Sequence, residues 1–188
     1  MNLPNKLTLL RVFLIPAFLV FLFLPELKGN YFYALGIFAI ASITDALDGM
    51  IARKHNLVTN FGKFLDPLAD KVLVMSALVA FIQLNLASSI AVIIILAREF
   101  MVTSLRLVAN KEGGKVIAAG LMGKLKTAFT MIAIVVILFI QGYVSLGGNL
   151  PCDSRLVGDI LIWIATAITA ISGIQYLIQY KDDIDPTK

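Results

Sequence analysis

The chain has 188 residues, of which 59% are hydrophobic and 15% are charged. Soluble domains carry about 25% charged residues and about 45–50% apolar ones, so this chain has too much apolar surface for a water-soluble fold. We therefore expect lipid to surround most of it. The net charge of +4 requires no nucleic-acid partner, and the single cysteine, Cys152, excludes an internal disulfide framework and a cysteine-based metal site.

The N-terminal segment predicts a short amphipathic helix at the membrane interface. Pro4 suits the first turn of a helix, because the N–H group that proline lacks would be unpaired there anyway. Asn5, Thr8 and Arg11 follow at steps of three residues along one side, and leucines occupy the other side. This pattern is typical of a helix that lies on the bilayer before the chain turns into it.

Six apolar segments are long enough to cross a bilayer. Each has about 17–25 residues, the helix length that spans a hydrocarbon core of about 30 Å. Polar or turn-forming stretches separate them. The segments are Leu7–Leu24, Phe32–Arg53, Phe61–Leu84, Ala87–Ala109, Leu121–Val144 and Leu156–Tyr180. The sequence therefore predicts an all-α integral membrane protein, with six transmembrane helices after the interfacial helix, in a single domain over residues 1–188.

The lysines and arginines orient this bundle. The connections after the first, third and fifth segments hold only Lys28 and Arg155 among the 16 lysine and arginine residues. Most of the others lie near the opposite ends of the segments, and cytoplasmic connections carry the excess of positive charge in multi-pass membrane proteins. We therefore expect a multi-pass protein of the cytoplasmic membrane with both chain termini in the cytoplasm.

Four aspartates lie in or beside the second and third apolar segments. They are Asp45, Asp48, Asp66 and Asp70. A carboxylate inside a membrane helix costs about 2.5–3.5 kcal/mol on insertion scales, and such residues mark functional sites by default. The structural alternative pairs these carboxylates with Arg53, Lys63 and Lys71, which would be a costly way to hold helices together.

The spacing of these residues places them on two helix faces. In the second segment, positions i, i+3, i+4, i+7 and i+8 are Asp45, Asp48, Gly49, Ala52 and Arg53. In the third segment, positions i, i+4 and i+8 are Gly62, Asp66 and Asp70. Because the link between the segments is short, we expect antiparallel neighbours whose two faces oppose each other near the cytoplasmic side. The glycines and the alanine leave room for a ligand to approach the backbone.

An all-carboxylate donor set predicts a metal site. Carboxylates without histidine or cysteine select hard cations such as Mg²⁺, Mn²⁺ or Ca²⁺. Four of them can hold two ions about 3.5–4 Å apart, the arrangement that assists phosphoryl transfer. Arg53 on the same face can bind a phosphate oxygen. A transport site is the non-enzymatic alternative, but ligands concentrated at one end of a bundle do not outline a path across the membrane.

These residues resemble the signature of the CDP-alcohol phosphatidyltransferase family. Every fixed position of D-x2-D-G-x2-A-R-x8-G-x3-D-x3-D is matched from Asp45 to Asp70. The resemblance implies that a CDP-linked lipid donates its phosphatidyl group to an alcohol and that CMP leaves. It further implies that the first three aspartates bind two ions, Mg²⁺ or Mn²⁺, and that Asp70 both binds metal and acts as the general base. The residues implied to line the cytidine nucleotide are Gly49, Ala52, Arg53 and Gly62.

A second group of charged residues lies in the later segments. Arg98 and Glu99 interrupt the apolar run of the fourth segment, and Arg106 returns to nearly the face of Arg98. Because adjacent helical positions point in different directions, we expect Arg98 and Glu99 to need separate partners. Lys124 and Lys126 open the fifth segment, where the alternative interpretation is a topology signal. The cations exceed what four metal-bound carboxylates require, so we expect a second anionic ligand.

Shorter matches resemble the bacterial phosphatidylglycerophosphate synthases, a branch of the same family. They comprise Asn2–Arg11, Ala97–Glu99, Leu105–Arg106 and Gly123–Thr127. This resemblance implies CDP-diacylglycerol as the donor, glycerol-3-phosphate as the acceptor and a homodimer. Asn5 and Thr8 would hold the nucleotide end of the donor. The residues implied to bind the acceptor phosphate are Arg98, Arg106, Lys124 and Lys126.

Other acceptors and reactions stay open at this level. Serine, inositol phosphate or another phosphatidylglycerol could serve as the acceptor, because the aspartate motif does not select it. A membrane prenyltransferase would also use aspartate-bound Mg²⁺, but it would leave the A-R-x8-G spacing unexplained.

Overall fold

A computed structural model describes the chain as an all-helical protein. Its backbone is described for residues 3–54, 60–111 and 121–180, and its side chains for residues 6–45, 69, 71–105 and 122–179. The helices are α1 (Leu3–Leu22), α2 (Asn30–Lys54), α3 (Asn60–Gln83), α4 (Ser89–Lys111), α5 (Leu121–Ser145) and α6 (Ser154–Tyr180). Each predicted apolar segment corresponds to one of these helices, within a few residues at either end.

Two helical stretches within the described residues are long and apolar enough to cross a membrane by length and composition. They are Met122–Ser145 and Ser154–Gln179, in α5 and α6. A shorter apolar stretch, Lys71–Gln83, forms the second half of α3. The all-helical prediction is confirmed, and these two helices meet the criterion for a span.

The N-terminal segment differs from its prediction. α1 is one continuous helix, with Pro16 inside it, rather than a separate interfacial helix followed by a span. The predicted polar side does not face water, because Thr8 and Arg11 are fully buried. Arg11 Nη1 lies 2.6 Å from Oδ1 of Asp45 on α2. The polar side of α1 therefore contacts α2, and this removes the reason for a break in the helix.

One apolar core joins the first five helices and part of α6. Ala34, Phe38 and Ala41 are buried on a single face of α2, where the alanines allow neighbouring helices to approach closely. The Phe18 ring of α1 packs on the Phe38 ring, with centroids 5.9 Å apart. α1 packs on α2 and α3, whereas α6 packs on α4 and α5. α2 packs on α5, and α3 contacts α1, α2, α4 and α5, so these contacts join the two groups.

The helix ends opposite to the aspartates are closed by local hydrogen bonds. Asn85 after α3 and Gly147 after α5 adopt left-handed conformations, with φ of 56° and 91°. The amide of Leu86 donates to the carbonyl of Phe81, five residues earlier, over 2.8 Å and caps the end of α3. A hydrogen bond with the same spacing caps the end of α5. The amide of Ser88 before α4 donates to Oδ1 of an aspartate of α6, Asp159, over 2.6 Å.

Candidate functional site

The aspartate motif lies on α2 and α3, which pack against each other. Of its residues, only Asp45 has a side chain among those described. The backbones of the others belong to these two helices, but their side chains lie outside the described set: Asp48, Gly49, Ala52, Arg53, Gly62, Asp66 and Asp70. The side chains of Asn5 on α1 and Arg106 on α4 lie outside it as well. Accordingly, the described residues contain no group of three or more potential metal ligands.

Asp45 is oriented by α1. The Arg11 guanidinium is fully buried and lies 2.6 Å from Oδ1 of Asp45, whose side chain is 39% exposed. A charge-assisted contact of this length fixes the carboxylate at the edge of the packed interior. Thr8 lies one turn before Arg11 and is also fully buried. Thr8, which we predict to bind the CDP-linked lipid, and Asp45, which we predict to bind metal, therefore border the same α1–α2 contact. The all-oxygen donor chemistry of the four aspartates fits a hard divalent cation.

A cavity of about 610 Å³ lies between α3, α4 and α5. Among the described residues, its charged lining consists of four cations and one carboxylate: Lys71, Arg98, Lys124, Lys126 and Glu99. Apolar residues such as Val74, Leu78 and Ile95 form much of the remaining wall. Three of the four residues predicted to bind a second anion therefore line one positively charged cavity. α5 begins at Leu121, so both of its lysines lie in its first two turns.

The guanidinium of Arg98 is held by α6. Its Nη2 donates to the hydroxyl of Ser172 over 2.7 Å, and its central carbon lies 5.4 Å from the ring centroid of Tyr176. A Cβ atom at Gly173 would lie 2.9 Å from Cγ of Arg98, so this glycine allows the close approach. Arg98 is 6% exposed, and its buried Nε has no hydrogen-bond acceptor among the described residues. The arginine is thus fixed in place and still offers a donor.

Glu99 joins two of the cations. Its Oε1 lies 3.2 Å from Nη1 of Arg98 and also accepts a hydrogen bond from Nζ of Lys126. We expected adjacent residues to need separate partners, and that expectation is wrong in part, because Arg98 and Glu99 contact each other. Long side chains can reach around the helix, so adjacency does not prevent a shared ion pair. The cluster that results comprises Arg98, Glu99 and Lys126.

Lys71 also lines the cavity. The sequence suggested for this residue only a structural ion pair with the aspartates. Its Nζ donates to Oγ1 of Thr103 over 2.5 Å, and that hydroxyl donates to the backbone carbonyl of Glu99 over 2.7 Å. Lys71 directly follows Asp70 in α3. Its position as a cation inside an apolar stretch was the available signal. The cavity and the aspartate motif therefore share α3.

Comparisons with known proteins agree with the motif. A family model described as CDP-alcohol phosphatidyltransferase matches residues 1–171. A Bacillus subtilis (strain 168) protein named CDP-diacylglycerol–glycerol-3-phosphate 3-phosphatidyltransferase is 44% identical, over 93% of each chain. A Rickettsia typhi protein of the same name is 39% identical, over 93% of this chain and 94% of its own. For the Pseudomonas fluorescens protein of that name, the identity is 38% over 94% of this chain and 89% of its own.

Proposed function

The chain belongs to the CDP-alcohol phosphatidyltransferase family, and on that premise we propose its reaction. It transfers the phosphatidyl group of CDP-diacylglycerol to glycerol-3-phosphate and releases CMP, the reaction named for relatives that match nearly its whole length. The structural observation that carries the proposal is the cationic cavity, which gathers Arg98, Lys124 and Lys126 beside the aspartate-bearing helix α3. A phosphorylated acceptor is the ligand that such a cavity suits.

The chemical step is a displacement at phosphorus. The acceptor hydroxyl attacks the lipid-bearing phosphorus of the donor, and the bond from that phosphorus to the oxygen of CMP breaks. CMP leaves with the bonding electron pair, and Asp70 takes the hydroxyl proton as the general base. Arg98, Lys124 and Lys126, together with Arg106, hold the acceptor phosphate, so that the hydroxyl is positioned before it reacts.

The aspartates provide the metal site of the proposal. The family is divalent-metal dependent, and Asp45, Asp48, Asp66 and Asp70 would hold two ions, Mg²⁺ or Mn²⁺. Bound ions would offset the negative charge on the donor phosphates during transfer. The contact of Arg11 with Asp45 supports this role, because it orients one of the four carboxylates. Removing metal with EDTA should therefore abolish CMP release, and restoring Mg²⁺ or Mn²⁺ should recover it.

The nucleotide end of the donor would lie between α1, α2 and α3. Gly49, Ala52, Arg53 and Gly62 would line the cytidine, and Asn5 and Thr8 would complete this subsite from α1. The close contact of α1 with α2 at Arg11 and Asp45 supports the contribution of α1.

The proposed setting is the cytoplasmic membrane. All six helices would cross it as one domain over residues 1–188, with both termini and the active site on the cytoplasmic side, and the protein would be a homodimer. The distribution of lysine and arginine supports this orientation. The length and apolar composition of α5 and α6 support the membrane location.

The test uses purified protein with CDP-diacylglycerol in detergent micelles, Mg²⁺ or Mn²⁺, and a panel of acceptors. CMP release should require glycerol-3-phosphate, whereas serine and inositol phosphate should give little. Serine carries no phosphate, so the four cations that line the cavity among the described residues would have no phosphate to bind. No CMP with any acceptor would contradict phosphatidyl transfer, and equal rates with serine and glycerol-3-phosphate would contradict the acceptor.

A further inference from the structure

Glu99 is the only carboxylate that lines the cavity in the described part of the chain. We propose that it determines acceptor specificity by accepting a hydrogen bond from the hydroxyl on the middle carbon of glycerol-3-phosphate. The proposal rests on the function proposed above and assigns a role to a residue that the phosphate-binding cations leave unexplained.

The two oxygens of Glu99 have different surroundings. Oε1 is engaged by Arg98 and Lys126, as described above. Oε2 has no hydrogen-bond donor among the described side chains, although a carboxylate can accept about four hydrogen bonds. The Glu99 side chain is only 15% exposed, so a hydrogen bond to Oε2 would be formed with little competition from water. The Glu99 side chain thus contributes to the cavity an acceptor atom that lacks a donor among the described residues.

The charges of the cavity determine which part of the acceptor can reach this atom. The acceptor phosphate is drawn to the cations and repelled by a carboxylate. The two hydroxyls are the only hydrogen-bond donors that glycerol-3-phosphate offers. Its terminal hydroxyl reacts and must lie beside the general base, Asp70, which leaves the middle hydroxyl for Glu99. Two consecutive hydrogen bonds, from Lys71 to Thr103 and from Thr103 to the Glu99 carbonyl, link Glu99 to the end of α3 that carries Asp70.

The experiment compares two acceptors that differ in one group. Glycerol-3-phosphate and 3-hydroxypropyl phosphate share the phosphate and the reacting hydroxyl, but only the former has the middle hydroxyl. A hydrogen bond to a charged partner corresponds to about a tenfold to hundredfold preference in kcat/KM for glycerol-3-phosphate in the unmodified protein. In Glu99→Met, which keeps the length but removes the acceptor atoms, the preference should fall to about twofold or less. Glu99→Gln should retain part of it, because its amide carbonyl still accepts.

The ratio of kcat/KM between the two acceptors distinguishes a role of Glu99 in acceptor specificity from a purely structural role. If Glu99 only held Lys126 in place, Glu99→Met would slow both acceptors equally and leave the ratio unchanged, and this result would overturn the proposal. Ser104→Ala, at an exposed position of α4, is the matched control and should keep the unmodified ratio. If Glu99→Met releases no CMP, calorimetric binding constants for the two phosphates give the same ratio, and an undiminished preference there would also overturn the proposal.

The outcome also distinguishes this proposal from the function on which it rests. If the unmodified protein turns over serine but neither phosphate, the proposed function fails. If the protein uses glycerol-3-phosphate but its preference does not depend on residue 99, the acceptor assignment stands and only the role of Glu99 fails.

Discussion

At the scale of single residues, Arg98 is the most constrained cation of the cavity. Ser172 and Tyr176 fix its guanidinium from one side, and Glu99 contacts it from the other. A guanidinium can satisfy all of these partners because its N–H groups form a rigid planar fork, whereas an ammonium group is a compact point charge. The identity of the residue should therefore matter as well as its charge.

Replacing Arg98 with lysine tests this view. Arg98→Lys should raise the KM for glycerol-3-phosphate by about tenfold to hundredfold, because lysine cannot keep the bond to Ser172 and also offer donors to the phosphate. CMP release measured against acceptor concentration would give this value. Arg155→Lys, at an exposed position in the first turn of α6, should leave the KM unchanged. An unaltered KM in Arg98→Lys would remove this arginine from the acceptor site.

The second prediction at this scale concerns Asp70, the residue proposed to accept the proton. Asp70→Asn should abolish turnover, because an amide cannot take the proton of the attacking hydroxyl and is a weaker metal ligand. The variant should still be extracted and should show a cooperative unfolding transition in detergent. Asp153→Asn is the control, because asparagine also caps the start of a helix well. Rates like those of the unmodified protein from Asp70→Asn would exclude Asp70 as the base.

At the scale of helices, α6 supports the cavity without lining it. Arg98 reaches α6 through the space that Gly173 leaves. In the same α4–α6 contact, the Thr166 hydroxyl donates to the carbonyl of Ile162 over 2.8 Å and lies 3.3 Å from the carbonyl oxygen of Ala91. The cationic wall of the cavity therefore depends on how closely these two helices pack. Small residues permit this approach between membrane helices.

Gly173→Ala should disturb this packing. The added Cβ would lie 2.9 Å from Cγ of Arg98, so the arginine must move. We expect the KM for glycerol-3-phosphate to rise several-fold while that for CDP-diacylglycerol changes little, in steady-state assays that vary each substrate. Gly36→Ala is the matched control, because a Cβ at that helical glycine meets no atom within 4 Å. Equal effects on both substrates would indicate a general loss of structure instead.

At the scale of the whole molecule, the single cysteine reports the orientation in the membrane. Cys152 is exposed in the connection between α5 and α6. A membrane-impermeant maleimide should label it in intact spheroplasts, because this connection lies on the outer side in the proposed topology. In a Cys152→Ser background, Lys6→Cys should be labelled only after permeabilisation, since the proposed topology places the N-terminal end of α1 in the cytoplasm. The opposite pattern would invert the proposed orientation.

The aspartate motif and the helical architecture could be predicted because both depend on local periodicity. Apolar stretches of sufficient length fixed the six helices within a few residues, and the spacing from Asp45 to Asp70 indicated two helix faces with oxygen ligands. The separate interfacial helix was predicted wrongly for the same reason. A polar side on α1 looks the same in sequence whether it faces water or a charged partner on α2.

The sequence by itself indicated the family through the resemblance of its aspartate motif. It also specified the oxygen ligands of the proposed metal site and the cations available for a proposed second anion, because residue type and helical spacing are read directly along the chain. Only the tertiary structure decided that Arg11 orients Asp45, that α6 holds Arg98, and that Lys71 and Glu99 belong to one cavity. These contacts join positions far apart in the chain. They depend on how closely helices pack and on how far long side chains reach around them, and neither is encoded in the pattern of any single helix.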